Sequence, residues 1–319
     1  MPGLLYKISF RRWGSIPFLL LCLSSCQMFS RPHSPKGYFL PKPKVTFLNK
    51  ELAEVSGVCF LDKENAFLAI SDSKQYVYRL TNDGIASRYY ADSIGPRTDY
   101  EDVVKVDTST FVLASNGVIL EINQSDSGQH TTTYSLTGDS LSLKVKHNFN
   151  SYGKKKFSIK DKGEKQNDFE TLYYDSSQHA LIMLCKSCKG ENKQDIRTAY
   201  KFDLTTRQFD SEPFYTINSK DIKNIFKDGQ VEFKPSAAAI HPIEKRLYIL
   251  SSAGHLLVIT DLLGKVQEVY RLNPTFYPQA EGIAFAANGD MYISNEAKMG
   301  KPTLLKIAYN PPGKNKKNR

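Results

Sequence analysis

Glu101, Glu170 and Glu281 each open a short apolar segment: Glu101-Asp-Val-Val-Lys105, Glu170-Thr-Leu-Tyr-Tyr174 and Glu281-Gly-Ile-Ala-Phe285. Ser56 and Ser236 open two more at matching places, Ser56-Gly-Val-Cys-Phe60 and Ser236-Ala-Ala-Ala-Ile240. A second set closes the apolar segment that follows each of these: Asp72, Asn116, Lys186, Ser252 and Asn295, with Glu296 beside the last. Brought side by side, the two sets form rings of carboxylate, amide and hydroxyl oxygens around one lysine. Gathering acids on one axis raises their pKa values unless something offsets the repulsion. A hard cation would do so, and calcium prefers such oxygens, so Glu101, Glu170 and Glu281 are the candidate metal ligands. In the competing arrangement the glutamates accept from amides of neighbouring segments and pair with Lys186.

Other chemistry is poorly provided for. There is no Gly-x-Ser-x-Gly elbow and no Gly-Lys-Ser/Thr phosphate loop. His33, His130, His147, His179, His241 and His255 fall mainly in turns or loops, and none recurs at the ring position. Cys185-Lys-Ser-Cys188 is a Cys-x-x-Cys without a second ligand pair for zinc and without a helix start to activate a thiolate. A disulfide between Cys185 and Cys188 is the expected state, with free thiols and half a zinc site as alternatives.

The elements that must position these residues follow from internal repetition. The second strand of each unit is visible as Ala66–Asp72, Phe111–Asn116, Leu181–Lys186, Leu247–Ser252 and Met291–Asn295. The third strands are Tyr76–Leu80, Val118–Ile122, Ala199–Asp203, Leu256–Thr260 and Thr303–Ile307, rich in β-branched and aromatic residues. Fourth strands such as Arg88–Ala91 and Gln267–Leu272 complete the pattern, and no segment shows a sustained helical period. Four-stranded antiparallel units repeated in this way describe an all-β fold, a β-propeller, whose blades bury their faces on one another. The direct count is five blades, and the long interval around Lys144–Lys165 leaves room for a sixth. The last unit lacks an outer strand, which Val45–Asn49 is expected to supply.

The ends of the chain read differently from its body. Lys7, Arg11 and Arg12 precede the short apolar run Trp13–Leu23, too short to span a bilayer. Leu23-Ser24-Ser25-Cys26 resembles a bacterial lipobox, which implies cleavage after residue 25 and acylation of Cys26, each buried methylene adding about 0.8 kcal/mol of membrane affinity. An ordinary secretory signal is the alternative. Gln27 in place of an Asp favours the outer membrane. Residues 26–44, with four prolines between Pro32 and Pro43, read as a tether, residues 45–309 as the propeller, and residues 310–319 as a basic disordered tail.

Glu54-Val-Ser-Gly-Val58, Phe169-Glu-Thr-Leu-Tyr173, Pro235-Ser236 and above all Gln279-Ala-Glu-Gly-Ile-Ala-Phe285 resemble the SdiA-regulated family of bacterial propellers, over about residues 50–309. The resemblance implies an envelope protein from a family linked to calcium responses and supplies no catalytic mechanism. The Gly usual after the opening position is replaced here by Asp102, Thr171 and Ala237.

The formal charge of +10 does not imply a nucleic-acid partner. Three basic residues lie in the first 25 positions and four in the last ten, leaving a body near +3 without a basic stripe. The expected protein is a monomeric, lipid-anchored binding module for calcium, a small ligand or an envelope partner. A metal-dependent hydrolase of phytase-like or lactonase-like type is the alternative. Replacing Cys26 by Ser should leave a folded protein that fractionates away from the membrane pellet, since no other segment is apolar enough to hold it there.

Overall fold

The computed structural model describes residues 34–126, 128–137, 140–142, 167–227, 231–297 and 300–311. The expected signal segment, Cys26, the lysine-rich insertion at 144–165 and the tail from 312 onward therefore lie outside the described residues. Five antiparallel sheets make up the domain. The first contains β2 (Val55–Leu61), β3 (Ala66–Ser71), β4 (Tyr78–Leu80) and β5 (Ala86–Arg88). The second contains β6 (Tyr100–Val106), β7 (Ser109–Ala114), β8 (Val118–Ser125), β9 (Gly128–Thr137) and β10 (Ser140–Ser142). The third runs β11 (Asp168–Asp175), β12 (Ala180–Ser187) and β13 (Ile196–Asp203), with β14 (Gln208–Phe209) and β15 (Tyr215–Asn218) both on β13. The fourth is β16 (Ala237–Ile240), β17 (Leu247–Ser251), β18 (Leu256–Thr260) and β19 (Val266–Arg271). The fifth joins β20 (Ala280–Phe285), β21 (Met291–Asn295) and β22 (Thr303–Ile307) to β1 (Lys44–Phe47) from the other end of the domain.

The five innermost strands, β2, β6, β11, β16 and β20, lie each against the next and close into a ring. Because every blade has a neighbour on both sides, its middle strands are covered on both faces. All five residues of β17 and all five of β18 are buried, which is why these segments read as unbroken apolar runs. The core divides into five clusters, one in each gap between adjacent blades. Phe67 contributes to one of them and Phe111 and Phe202 to another, all with almost no exposure. The innermost strands pack closely enough to require glycine at two of their contacts. A Cβ at Gly57 would lie 2.6 Å from the Cα of Asp102, and one at Gly282 would lie 2.8 Å from the carbonyl oxygen of Ser56.

Two expectations are revised. The proline-rich segment is no free tether from residue 34 onward, because Tyr38 and Leu40 are buried against blades four and five. The Tyr38 hydroxyl donates to the Gly289 carbonyl at 2.6 Å, and the Tyr277 hydroxyl donates to the Leu40 carbonyl at 2.9 Å. The polar interval after Asn218 folds as a helix, α1 (Ser219–Phe226), capped by Asn218 Oδ1 accepting from the Lys220 amide at 2.9 Å. Its pattern escapes a helical reading because it has barely two turns and buries little beyond Ile222.

The closure is as the sequence implies. β1 pairs antiparallel with β22, Val45 opposite Leu305 and Phe47 opposite Thr303. A chain lacking residues 26–49 loses this strand together with the buried Tyr38, Leu40 and Leu48, each worth about 1.5–3 kcal/mol when fully buried. It should unfold at markedly lower denaturant than the parent and aggregate through the bared edge of β22, as followed by chemical denaturation and light scattering.

Candidate functional site

A one-residue bulge recurs at the start of four of the five innermost strands. In blade two Tyr100 opposes Ala114 and Asp102 opposes Leu113, so Glu101 is the inserted residue. In blade three Phe169 opposes Cys185 and Thr171 opposes Leu184, which sets Glu170 apart. In blade five Ala280 opposes Asn295 and Gly282 opposes Ser294, which does the same for Glu281. In blade one the extra residue falls within Ser56-Gly57. A bulge leaves its extra residue outside the ladder and re-aims its side chain. The three glutamates are therefore turned towards the mouth of the channel while the strand continues into the core.

The structure brings Glu101, Glu170, Glu281, Asp72 and Lys186 into one electrostatic neighbourhood. Lys186 Nζ pairs with Glu170 Oε1 and also acts on Asp72, Glu101 and Glu281. Burial pushes Glu101 up to about 8, with Asp72 adding to the rise and Lys186 opposing it. Burial likewise pushes Glu281 up to about 7, against Lys186 and a hydrogen bond from Ser252. The Asp72 carboxyl is also raised, first by burial and then by Asp99 and Glu54. Two buried carboxylate oxygens here, Asp72 Oδ1 and Glu170 Oε2, have no hydrogen-bond partner. A cavity of about 320 Å³ opens beside this group, lined by Glu170, Lys186, Ser236, Ser252, Gln279 and Glu281, with Lys234 and His255 on its wall.

The remaining sequence-derived positions sort by register. Ser236 lines the cavity and ties blades four and five together, its hydroxyl donating to the Ala280 carbonyl at 2.8 Å. Ser56 is buried beside the Glu54 carbonyl. Asn116 and Asn295 stand one residue off the second ring. The amides that bond to Asp99 and Gln279 belong to Ser115 and Glu296, and in a strand one residue changes the face. Asn116 Oδ1 accepts from the Val118 amide in a turn. The Asn295 side chain donates to Phe276 and Thr303 inside its blade. Amide capping between blades is performed by Asp102, one residue beyond the ring. Its carboxylate accepts from the amides of Val103 and Leu172, both at 2.8 Å, and burial raises its pKa well above the ordinary range.

Sequence reasoning missed an outer ring two residues before each opening position: Glu54, Asp99, Asp168, Lys234 and Gln279. Glu54 and Asp99 act on Asp72, Asp99 and Asp168 act on Glu101, and Gln279 donates to Glu296. A step of two residues back from the five opening positions marks all five.

Cys185 and Cys188 are joined by a disulfide, their Cα atoms 6.0 Å apart. Glu191 lies against this loop, accepting from the Cys188 amide at 3.0 Å and the Thr198 amide at 2.7 Å. Among the described residues, these three form the one group whose ligand atoms lie within 4.8 Å of one another. Glu101, Glu170 and Glu281 form no such group. Their oxygens suit calcium in type, but their spacing does not make a closed shell for one ion.

The profile of the family described as SdiA-regulated matches residues 40–299. The chain belongs to the SdiA-regulated family. No curated protein sequence matches it. Among solved structures, this SdiA-regulated propeller is similar to the glutaminyl cyclase of Myxococcus xanthus, at a TM-score of 0.51 and 11% identity over 84% of this chain and 94% of that one. It is also similar to a glucose dehydrogenase, at 0.48 and 12% over 84% and 100%, and to a luciferin-regenerating enzyme, at 0.46 and 10% over 84% and 95%. These likenesses concern the propeller fold alone.

The raised pKa of Glu101 carries a stability consequence. Folding favours its protonated form, so its contribution is complete below the ordinary carboxylate value near 4.5 and is lost as pH rises through about 8. Glu101→Gln, which copies the protonated group, should be nearly neutral at pH 4 and stabilising by roughly 2–4 kcal/mol at pH 9, measured by urea denaturation at both values.

Proposed function

We propose that this SdiA-regulated protein is a lipid-anchored envelope binding module whose channel mouth takes a small polar ligand bearing a cationic group. The observation that carries this reading is the set of bulged glutamates, two of which, Glu101 and Glu281, burial pushes up to about 8 and about 7, around a shared lysine beside a cavity. A cationic group entering the cavity would favour the ionised form of Glu101 and Glu281, and the Asp72 and Glu170 oxygens without partners are ready acceptors. Cation and proton then compete for the same oxygens. The carboxylates stand apart, as suits a ligand with several hydrogen-bonding atoms better than a bare ion.

Calcium is the second reading, supported by the hard oxygen donors, and it requires the glutamates to draw together. A metal-dependent hydrolase would need in addition a dense carboxylate shell with an open position, which the spacing of these groups does not favour. His255, on the cavity wall, has Nδ1 3.3 Å from the Tyr277 carbonyl. His241 lies at the far end of β16 from the mouth, with its pKa lowered to about 4 by burial. His241 is therefore not placed as a general base among the glutamates, whereas His255 shares the cavity wall with Glu170 and Glu281.

The test is thermal unfolding of the mature protein with a short aliphatic diamine or with calcium chloride, at pH 6 and pH 8.5. A ligand at ~100 times its Kd stabilises by ~2.7 kcal/mol. The diamine should raise Tm by several degrees at pH 8.5, less at pH 6, and little in Glu101→Gln or Glu281→Gln. A parent indifferent to both additives at both pH values overturns the cationic-ligand reading. A response confined to calcium and reversed by chelator establishes the second reading instead.

A further inference from the structure

Each innermost strand begins at the mouth, so the turn into the second strand, and the turn between the third and fourth, lie at the opposite end of the sheet. Both ends of the described chain lie there as well. The segment that precedes β1 is fastened to the β20–β21 turn through Tyr38 and Gly289, and His241, at the far end of β16, has Nε2 2.6 Å from the same tyrosine hydroxyl. The Asn310 amide donates to the Gly37 carbonyl at 2.7 Å, so the chain leaves towards Lys314, Lys316, Lys317 and Arg319 beside the place where it entered.

Among the described residues, four of the seven large apolar side chains left exposed lie at this end, while Val45 and Phe47 lie along β1 and Ile225 on the helix after Asn218. Phe39 is 62% exposed in the entering segment and Ile243 51% in the β16–β17 turn. Ile85, 60% exposed, and Leu263, 65%, occupy the β4–β5 and β18–β19 turns at the same ends of their sheets. Lys36, Lys42, Lys63 and Lys245 are exposed among them. Acids are present too, Asp62, Glu64, Asp83 and Asp107, of which Glu64 is paired with Arg79. Isolated apolar side chains interspersed with lysines suit a phospholipid headgroup boundary, which accepts both.

We propose that this face rests on an anionic lipid surface and that the mouth points away from it. The inference rests on the lipid-anchored reading above. From Cys26 to Ser34 there are eight residues, a reach of at most roughly 28 Å when fully extended, and they join the domain on this face. An anchor that short favours the face it enters over the mouth.

The experiment uses the acylated protein in vesicles of phosphatidylethanolamine and phosphatidylglycerol containing a nitroxide-labelled lipid. A fluorophore is attached through Lys245→Cys, on the proposed face, or through Ala253→Cys, on the mouth. Burial pushes the Cys59 thiol up to about 11, so labelling goes to the introduced cysteine. Quenching at position 245 should exceed that at 253 at least threefold. Combining Phe39→Asp with Ile243→Asp should abolish the difference while the protein still pellets with the vesicles. Pelleting with equal or reversed quenching overturns the orientation and leaves the anchor standing. Failure to pellet overturns the anchor and this inference with it. Labels at position 245 that report on one another rather than on lipid would make the face a contact between copies and overturn the lipid assignment. A double variant that keeps the full difference would remove the apolar side chains from the proposal.

Discussion

The structure depends on closing a ring of sheets none of which can bury both its faces alone. Each of the five core clusters is shared by two blades, so the loss of any one gap exposes apolar surface on both sides of it. The last gaps are completed by chain from the other end of the domain. β1 finishes the fifth sheet, and the residues before it fill the space between blades four and five. Coupling the two ends makes the ring cooperative and brings both ends of the described chain to one face. The orientation argument follows from this geometry, and so does the freedom of the other face to carry a site.

At that other face the fold sets acids against their own solvation. The bulges place Glu101, Glu170 and Glu281 outside the ladder, and of the three Glu170 is paired across the sheet, with Lys186 of β12. Burial then does more than mutual repulsion to raise Glu101 and Glu281, since it is the first cause of both shifts. The two gaps between the innermost strands that require glycine, at Gly57 and Gly282, keep blades five, one and two closely apposed. Where Asp102 replaces the glycine, its buried carboxylate bridges blade two to blade three through the Leu172 amide. Asp102 in blade two thus supplies a polar tie where blades one and five, with Gly57 and Gly282, have a close backbone contact.

Much of this was legible in the chain. The opening positions Ser56, Glu101, Glu170, Ser236 and Glu281 lie at the starts of the five innermost strands, and the partner of β22 was identifiable because unit five lacked an outer strand. The second ring was legible only to within one residue. Asn116 and Asn295 end apolar runs as Lys186 and Ser252 do, but a bulge changes the count between facing strands by one, and nothing in composition marks a bulge. The outer ring of Glu54, Asp99, Asp168, Lys234 and Gln279 was available from the period of two. It was obscured because these residues precede the apolar segments that define the repeat.

The charge balance of the mouth turns on where Lys186 is held. It lies between Cys185 and Cys188, inside the four-residue loop that the disulfide closes, and opposite the double irregularity at Asp168–Thr171. Glu191 accepts from the Cys188 amide and faces Arg197, with 4.0 Å between the charged atoms, fixing the far side of the same loop. A long flexible lysine is thereby confined at its backbone, which lowers the entropy lost when its ammonium group settles against Glu170. Lys186 acts on Asp72, Glu101 and Glu281 together, so this confinement bears on the protonation of groups in three other blades. The disulfide, which lies in the core beneath the mouth, is in this sense part of the electrostatics of the site.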